Sequence, residues 1–252
     1  MEIKFAAIIP ARYASTRFPG KPLVQIAGKS MIQRVYEQVC KVLEMVYVAT
    51  DDQRIYDEVI RFGGKVIMTA ETHQSGTDRC YEAFTKMNQD VDVILNIQGD
   101  EPFIQPQQIQ TLKDCFTDDE VQIATLVRHV CANDGLEYLQ SPNHPKVIVN
   151  KHNEAVYFSR AVIPFLRNFP SDEYLQHHDY YTHVGIYAYR TNILKELVAL
   201  PTSILEKAES LEQLRWIENG YRIRVGYTSE KSVGIDTPDD LKEIEKNIRH
   251  IE

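Results

Sequence analysis

No stretch of the 252 residues approaches the ~20 consecutive apolar positions that a membrane-crossing helix requires, so none is expected. The segment 1–9 offers only a short apolar run, followed at once by Pro10 and Arg12, and this does not read as a signal peptide. Cysteine is sparse. Cys40, Cys80, Cys115 and Cys131 stand far apart with no C-x-x-C pair, which excludes a zinc knuckle or a disulfide framework and predicts reduced, buried thiols in a cytoplasmic protein. Positive charge is also short: 28 Lys and Arg face 36 Asp and Glu, a net charge of −8 that argues against a nucleic-acid polymer or a membrane surface as partner. No repeat, low-complexity tract or linker interrupts the chain, so a single domain over 1–252 is expected.

What is present is concentrated near one end. Residues 1–34 hold Lys4, Arg12, Arg17, Lys21, Lys29 and Arg34 against Glu2 alone, a local positive field that suits a small polyanion. Three of these cations fall in "AAIIPARYASTRFPGKPL" (6–23), directly after an apolar run. The loop carries one glycine and matches neither G-x-x-x-x-G-K-[ST] nor G-x-G-x-x-G, so the Walker A and dinucleotide-binding readings fail on their own motifs. Side chains must supply the charge instead. Arginine grips phosphate through paired hydrogen bonds, and lysine acts as a point charge. Pro10, Pro19 and Pro22 stiffen the loop, lowering the entropy lost when mutually repelling cations are held together.

The patterning predicts strands at 4–9, 46–50, 65–69 and 92–97. Between them lie a helix over 28–43 with a Ser30/Gln33 capping box, a helix capped by Asp51 or Asp52 and closed by Gly63 and Gly64, and a helix near 79–87. Further strands are expected at 121–130, 146–150, 155–159, 184–189 and 222–228, with "KHNE" as a hairpin turn and one helix over 205–220 closed by Gly220. Residues 165–182 read as a loop or excursion rather than core. Thr237, Pro238 and Asp240 open a final helix as N-cap, N1 and N3. The alternation predicts an α/β fold with a Rossmann-like, mostly parallel twisted sheet, helices on both faces and a smaller β excursion in the second half. Ligands of such sheets bind beyond the C-terminal strand ends. Three loops rich in functional groups fall there: 12–21, "HQSGTDR" (73–79) and "QGDEP" (98–102).

Ordered blocks extend this. "IIPARYASTRFPGKPL", "HQSGTDR", "NIQGDEPFI", "YFSRAVIP", "HVGIYAYR", "LEKAESLEQLR" and "GIDTPDDL" run from near residue 6 to near residue 241. The sequence resembles sugar nucleotidyltransferases of the CMP-sugar synthetase type, and most closely the 3-deoxy-manno-octulosonate (Kdo) cytidylyltransferase family. The resemblance implies Mg²⁺-dependent transfer of CMP from CTP to the anomeric hydroxyl of Kdo, with release of pyrophosphate, for lipopolysaccharide biosynthesis. It also implies a homodimer, with 1–115 mainly binding CTP and 120–230 mainly binding the sugar acid and dimerising. By the same resemblance Arg12, Arg17 and Lys21 hold the triphosphate, with Ala11, Ser15, Gln74, Ser75, Gly76 and Arg79 completing the nucleotide pocket. Asp100 and Asp236 ligate Mg²⁺, and Gln98, Arg160, His183, Tyr187, Glu212 and Gln213 meet the sugar acid.

Each residue also has a plain structural reading. "QSGT" can be a turn that caps the next helix through Thr77, an isolated aspartate can cap a turn, and His183 can be a hydrogen-bonded core histidine. No dedicated general base stands out: metal polarisation of the anomeric hydroxyl can suffice, with His183 in reserve. His177 and His178 beside Asp179 lack a third ligand at useful spacing and read as a solvated loop. The rival functions are a CMP-sialate or 8-amino-Kdo cytidylyltransferase, a non-catalytic nucleotide-sugar binding module, and a glycosyltransferase. The last usually relies on D-x-D, where this chain has "GDEP".

Overall fold

A computed structural model of the chain describes residues 2–14, 18–231, 234–235, 237 and 239–242. The chain forms two compact units, Met1–Gln110 with Ala188–Val198 and Ser232–Glu252, and Thr111–Tyr187 with Ala199–Lys231. The architecture is mixed α/β with mostly parallel central strand pairing.

In the first unit, β1 (Phe5–Ala11) leads to the short hairpin strands β2 (Gln25–Ile26) and β3 (Lys29–Ser30). Then come α1 (Met31–Cys40), β4 (Val46–Thr50), α2 (Gln53–Arg61), β5 (Val66–Met68), α3 (Gly76–Met87), β6 (Val93–Asn96) and the start of α4 (Pro106–Asp114). β1 lies between β4 and β6, with β5 beyond β4, and all four run parallel. Ala6, Ala7, Ile8 and Ile9 are wholly buried, as expected of a parallel strand covered on both faces. The ladder from β1 to β6 ends where Ile97 N–H donates to Ile8 O. Pro10, two residues on and facing the same side, has no N–H to continue it, so the chain after β6 diverges and opens a gap.

Local signals place the helices. Ser30 Oγ accepts from Gln33 N–H at the start of α1, but the Gln33 amide donates to Glu37, so the reciprocal half of the expected capping box is not made. Asp52 caps α2 through Arg54 N–H, and Gly63 at φ +82° ends it. α3 starts three residues earlier than expected. Ser75 Oγ, not Thr77, takes the capping bond, from Asp78 N–H, while Thr77 is buried.

The second unit holds β7 (Ile123–His129), α5 (Gly135–Gln140), β8 (Lys146–Val149), β9 (Ala155–Ser159), α6 (Tyr174–His177) and most of β10 (Tyr181–Arg190). The end of β10 and α7 (Thr191–Val198) return to the first unit. α8 (Ile204–Glu209), α9 (Gln213–Glu218) and β11 (Ile223–Thr228) complete the second. β11 pairs parallel to β7, and β8 and β9 form the expected hairpin, its turn closed by Asn150 N–H on Glu154 O.

Three expectations are corrected. The helix over 205–220 is two short helices. Ser203 and Glu206 cap α8 reciprocally, Ser210 takes φ +52°, and the chain turns before α9 begins. Residues 165–182 contribute to the core: Tyr174 and Tyr180 stack at 6.0 Å and pack with Val130 and Leu139, and the Tyr180 hydroxyl donates to Pro164 O. The polar "QHH" between those rings masked them. The thiols are free, but Cys40 and Cys131 are exposed and only Cys80 is fully buried. Among the described residues no helix is long and apolar enough to cross a membrane.

The second unit is braced by a buried carboxylate. Asp134 accepts from Arg128 at 2.8 Å, from Lys231 at 2.9 Å and from Cys131 N–H at 2.9 Å, with 3% of its side chain exposed. Burial raises its pKa, but the donors from Arg128, Lys231 and Cys131 outweigh it and hold the group at about 2. A depressed carboxylate stabilises the fold above its ordinary pKa near 4, and that contribution is lost as pH falls toward 2. It is worth about 2 kcal/mol. Asp134→Asn is therefore expected to unfold at lower urea at pH 7 and to flatten the acid limb between pH 4 and 2. Urea titrations across that range check it.

Candidate active site

At the C-terminal ends of β1 and β6 the gap beyond Pro10 widens into a cleft of about 400 Å³ within the first unit. Pro10, Ala11 and Arg12 line one side, Gln98, Gly99 and Asp100 another, and Lys21, Gly76 and Arg79 also border it. Gly99 is required by close approach: a Cβ there would lie 3.0 Å from Pro10 O, a backbone atom that cannot swing away.

The cationic loop is shaped by its own closure. Gly20 N–H donates to Tyr13 O at 2.9 Å, which brings together the flanks of the loop, Arg12 and Lys21. Gly20 has φ +72°, a conformation that disfavours other residues, and the Tyr13 ring lies 3.1 Å from where its Cβ would stand. Tyr13 is in turn covered by the Arg54 guanidinium, 3.2 Å from its ring centroid. Neither Tyr13 nor Arg54 stood out in the sequence, because a ring and a cation 41 positions apart carry no local signal.

Lys21 Nζ donates to Asp100 Oδ2 at 2.7 Å. Lys21 is 12% exposed and Asp100 35% exposed, so the pair is partly screened and both groups face the cleft. Ile235 N–H donates to Asp100 O at 3.1 Å, and Ile235 packs with Ile26, Met31 and Phe103. Ile235 is therefore anchored at Asp100. Thr237 and Asp240 make their capping bonds as expected. Asp236, Pro238, Ser15 and Arg17 lie outside the described residues.

The other nucleotide candidates divide. Gly76 lines the cleft, 3.3 Å from Pro10 Cγ when a Cβ is added. Ser75 is occupied as the cap of α3. Gln74 is exposed and its amide donates to Thr72 O. Its loop is tied to α3 through Glu82, which accepts from Ala70 N–H and bonds His73. Arg79 borders the cleft but is 1% exposed, and its guanidinium is committed to Asp51 and to Thr69 Oγ1. Its geometry is that of a brace joining α3 to the ends of β4 and β5. Asn96, buried at the end of β6, accepts from the Gln98 amide at 3.1 Å and so orients it.

Gln98 belongs to this cleft, whereas the other five expected sugar-acid contacts lie in the second unit. There Arg160 is held by three carbonyls, donating to Glu209 O, Pro142 O and Ser210 O. His183 packs against Phe158 and Tyr187, and Tyr187 meets Trp216 of α9 edge-on at 5.1 Å. Gln213 is buried, and its amide nitrogen has no hydrogen-bond partner among the described residues. An unmade buried bond is costly, so this nitrogen is one that a ligand or a water would satisfy. Glu212 pairs with Arg215. Burial lowers the His183 pKa to about 3, which favours the neutral ring. His177 stacks on Phe169 at 3.7 Å, and no group of three metal-ligating side chains occurs among the described residues.

A cytidylyltransferase family model matches residues 6–225. The chain is 58% identical over 248 residues to a 3-deoxy-manno-octulosonate cytidylyltransferase of Bacteroides thetaiotaomicron, covering 98% of this chain and 99% of that one. This chain belongs to the 3-deoxy-manno-octulosonate cytidylyltransferase family. A cytidylyltransferase of the same name from Parabacteroides distasonis is 60% identical over 241 residues, covering 95% of this chain and 96% of its own. The solved structure of a CMP:2-keto-3-deoxy-manno-octonic acid synthetase complexed with CTP superposes with a TM-score of 0.89 at 42% identity, covering 98% of this chain and 99% of that one.

For this cytidylyltransferase the Arg79 geometry has a measurable consequence. Arg79→Met leaves the part-buried Asp51 without its cation and the buried Thr69 Oγ1 without its donor, and is expected to cost about 2–3 kcal/mol of stability. The folded fraction should still bind CTP within a few-fold of wild type. Urea unfolding together with CTP calorimetry checks it; normal stability with lost CTP affinity would make Arg79 a ligand contact instead.

Proposed function

We propose that this chain transfers CMP from CTP to the anomeric hydroxyl of Kdo, releasing pyrophosphate, and that the cleft holding Arg12, Lys21, Gln98 and Asp100 is where CTP reacts. The observation that carries this is the convergence of Lys21 and Asp100, 79 residues apart, on one cleft at the strand ends. The hydroxyl oxygen attacks the α-phosphorus and gives up its proton to water, the bond to the β-phosphate bridging oxygen breaks, and the charge that gathers on the departing pyrophosphate is met by Lys21 and Arg12, with Arg17 by resemblance. Gly76 and Ala11 line the cleft, and by resemblance Gln74, Ser75 and Gly76 read the cytosine edge while Ala11 and Ser15 serve the nucleotide.

The donor chemistry of the cleft fits magnesium. Asp100 offers one carboxylate at the edge of a phosphate site, and Mg²⁺ prefers one or two carboxylates with phosphate oxygens and water. Asp100 would hold the ion together with Asp236, and bound Mg²⁺ supplies charge neutralisation between the attacking oxygen and the triphosphate. Lys21 orients the Asp100 carboxylate for that task. In the second unit, Arg160, Tyr187, Glu212 and Gln213 receive the sugar acid, and the orphaned Gln213 amide supports this. The chain acts as a cytoplasmic homodimer supplying an activated sugar for lipopolysaccharide.

Asp100→Asn tests the cleft. Turnover is expected to fall by about 100-fold or more, since a positioned charge-stabilising group is lost. Stability should change by less than about 1 kcal/mol, because the pair with Lys21 is partly solvated. Pyrophosphate release and thermal unfolding measure both, and wild-type turnover in this variant removes the proposed chemistry. The acceptor is tested by pyrophosphate release from CTP with Kdo, 8-amino-Kdo and neuraminate under Mg²⁺; Kdo is expected to be used best, and no turnover with it discards the assignment.

A further inference from the structure

Thr125, on β7, is wholly buried and has no part in the chemistry above. Its Oγ1 lies 2.9 Å from His183 Nε2, 2.8 Å from Ile186 O and 3.3 Å from Val184 O. A hydroxyl has one proton to give and lone pairs to receive with. Carbonyl oxygens can only accept, so the hydroxyl proton goes to the nearer of them, Ile186 O. What His183 meets is then a lone pair, and Nε2 must carry the hydrogen. The opposite arrangement, Thr125 donating to a bare Nε2, would leave Oγ1 facing two carbonyl oxygens with no proton between, a costly state in a buried place.

The rest of the ring follows. Burial keeps the imidazole neutral, so a proton on Nε2 leaves Nδ1 with a bare lone pair. Phe158, edge-on at 5.1 Å, and Tyr187, tilted at 5.2 Å, restrict the ring, and the His183 backbone N–H is anchored on Pro145 O at 2.8 Å. A fixed acceptor attracts O–H and repels carboxylate oxygens.

We propose that Thr125 is a positioning residue that locks His183 as its Nε2–H tautomer, so that Nδ1 accepts from a hydroxyl of the sugar acid and turns its carboxylate away. This rests on the reading of the second unit as the sugar-acid pocket. The carboxylate must then be met by donors such as Arg160, and His183 sorts acceptors by where they carry a hydroxyl.

Long-range ¹H–¹⁵N spectra of enzyme labelled at histidine nitrogen test the lock directly, without substrate. His183→Asn identifies the resonances. The expected pattern is a protonated-type Nε2 and a lone-pair-type Nδ1, unchanged from pH 5 to 9; an Nδ1–H pattern or an imidazolium in that range overturns the proposal. Thr125→Val is expected to mix the tautomers and to raise KM for Kdo about tenfold with KM for CTP unchanged, as loss of one hydrogen bond implies. Thr125→Ser should restore both readouts. A Val variant with the wild-type tautomer and KM overturns the proposal. Should the Val variant not fold, the wild-type spectrum decides alone. Because that spectrum needs no substrate, a correct tautomer in an enzyme that ignores Kdo would sink the acceptor assignment while leaving the lock in place.

Discussion

The contact between Lys21 and Asp100 depends on parallel pairing. β1 and β6 are neighbours running the same way, so both chains leave the sheet at one edge, and residues 79 apart come within 2.7 Å. An antiparallel pair would send the two loops to opposite ends. Pro10 then ends the ladder, Gly99 lets the second loop pass close to the first, and the space between them is the cleft. The ion pair adds modest energy at its exposure. Its larger effect is to hold a cation and a carboxylate in register before any ligand arrives.

Two groups of cations in this chain cannot be separated by composition alone. Arg79, Arg128 and Arg215 are buried and spend their donors on internal carboxylates and carbonyls: Asp51, Asp134 and Glu206 with Leu200 O. They hold elements together. Arg12 is exposed and Lys21 half-buried at the cleft, where an anion can reach them. Desolvation makes the difference, since a buried guanidinium must be paired at all times, whereas a cation at a cleft wall can exchange water for phosphate.

The strand–helix alternation of the first unit was legible because each parallel strand is a short apolar run and each helix carries its own stop or start signal, such as Asp52, Gly63 or Thr237. Misreadings arose where side-chain partners decided. At Ser30 the Gln33 amide turns to Glu37, one turn along the helix, rather than back to the cap. The stretch 205–220 has helical periodicity throughout, yet Ser210 breaks it and Arg160 braces the break through Glu209 O and Ser210 O, a tie spanning 50 positions. Tyr174 and Tyr180 entered the core from a segment whose composition is polar.

The candidate site divides in the same way. Residue types and block order determined the chemistry on their own: three cations on a stiffened loop select a polyanion, and the ordered blocks select the family, because those properties reside in local sequence. Only the tertiary structure decided which groups face the cleft and which are consumed as braces, that Gln98 sits with the nucleotide residues, and that His183 is neutral with Thr125 behind it. Each of those depends on burial and on hydrogen-bond partners far along the chain, and neither can be read from a residue's neighbours in sequence.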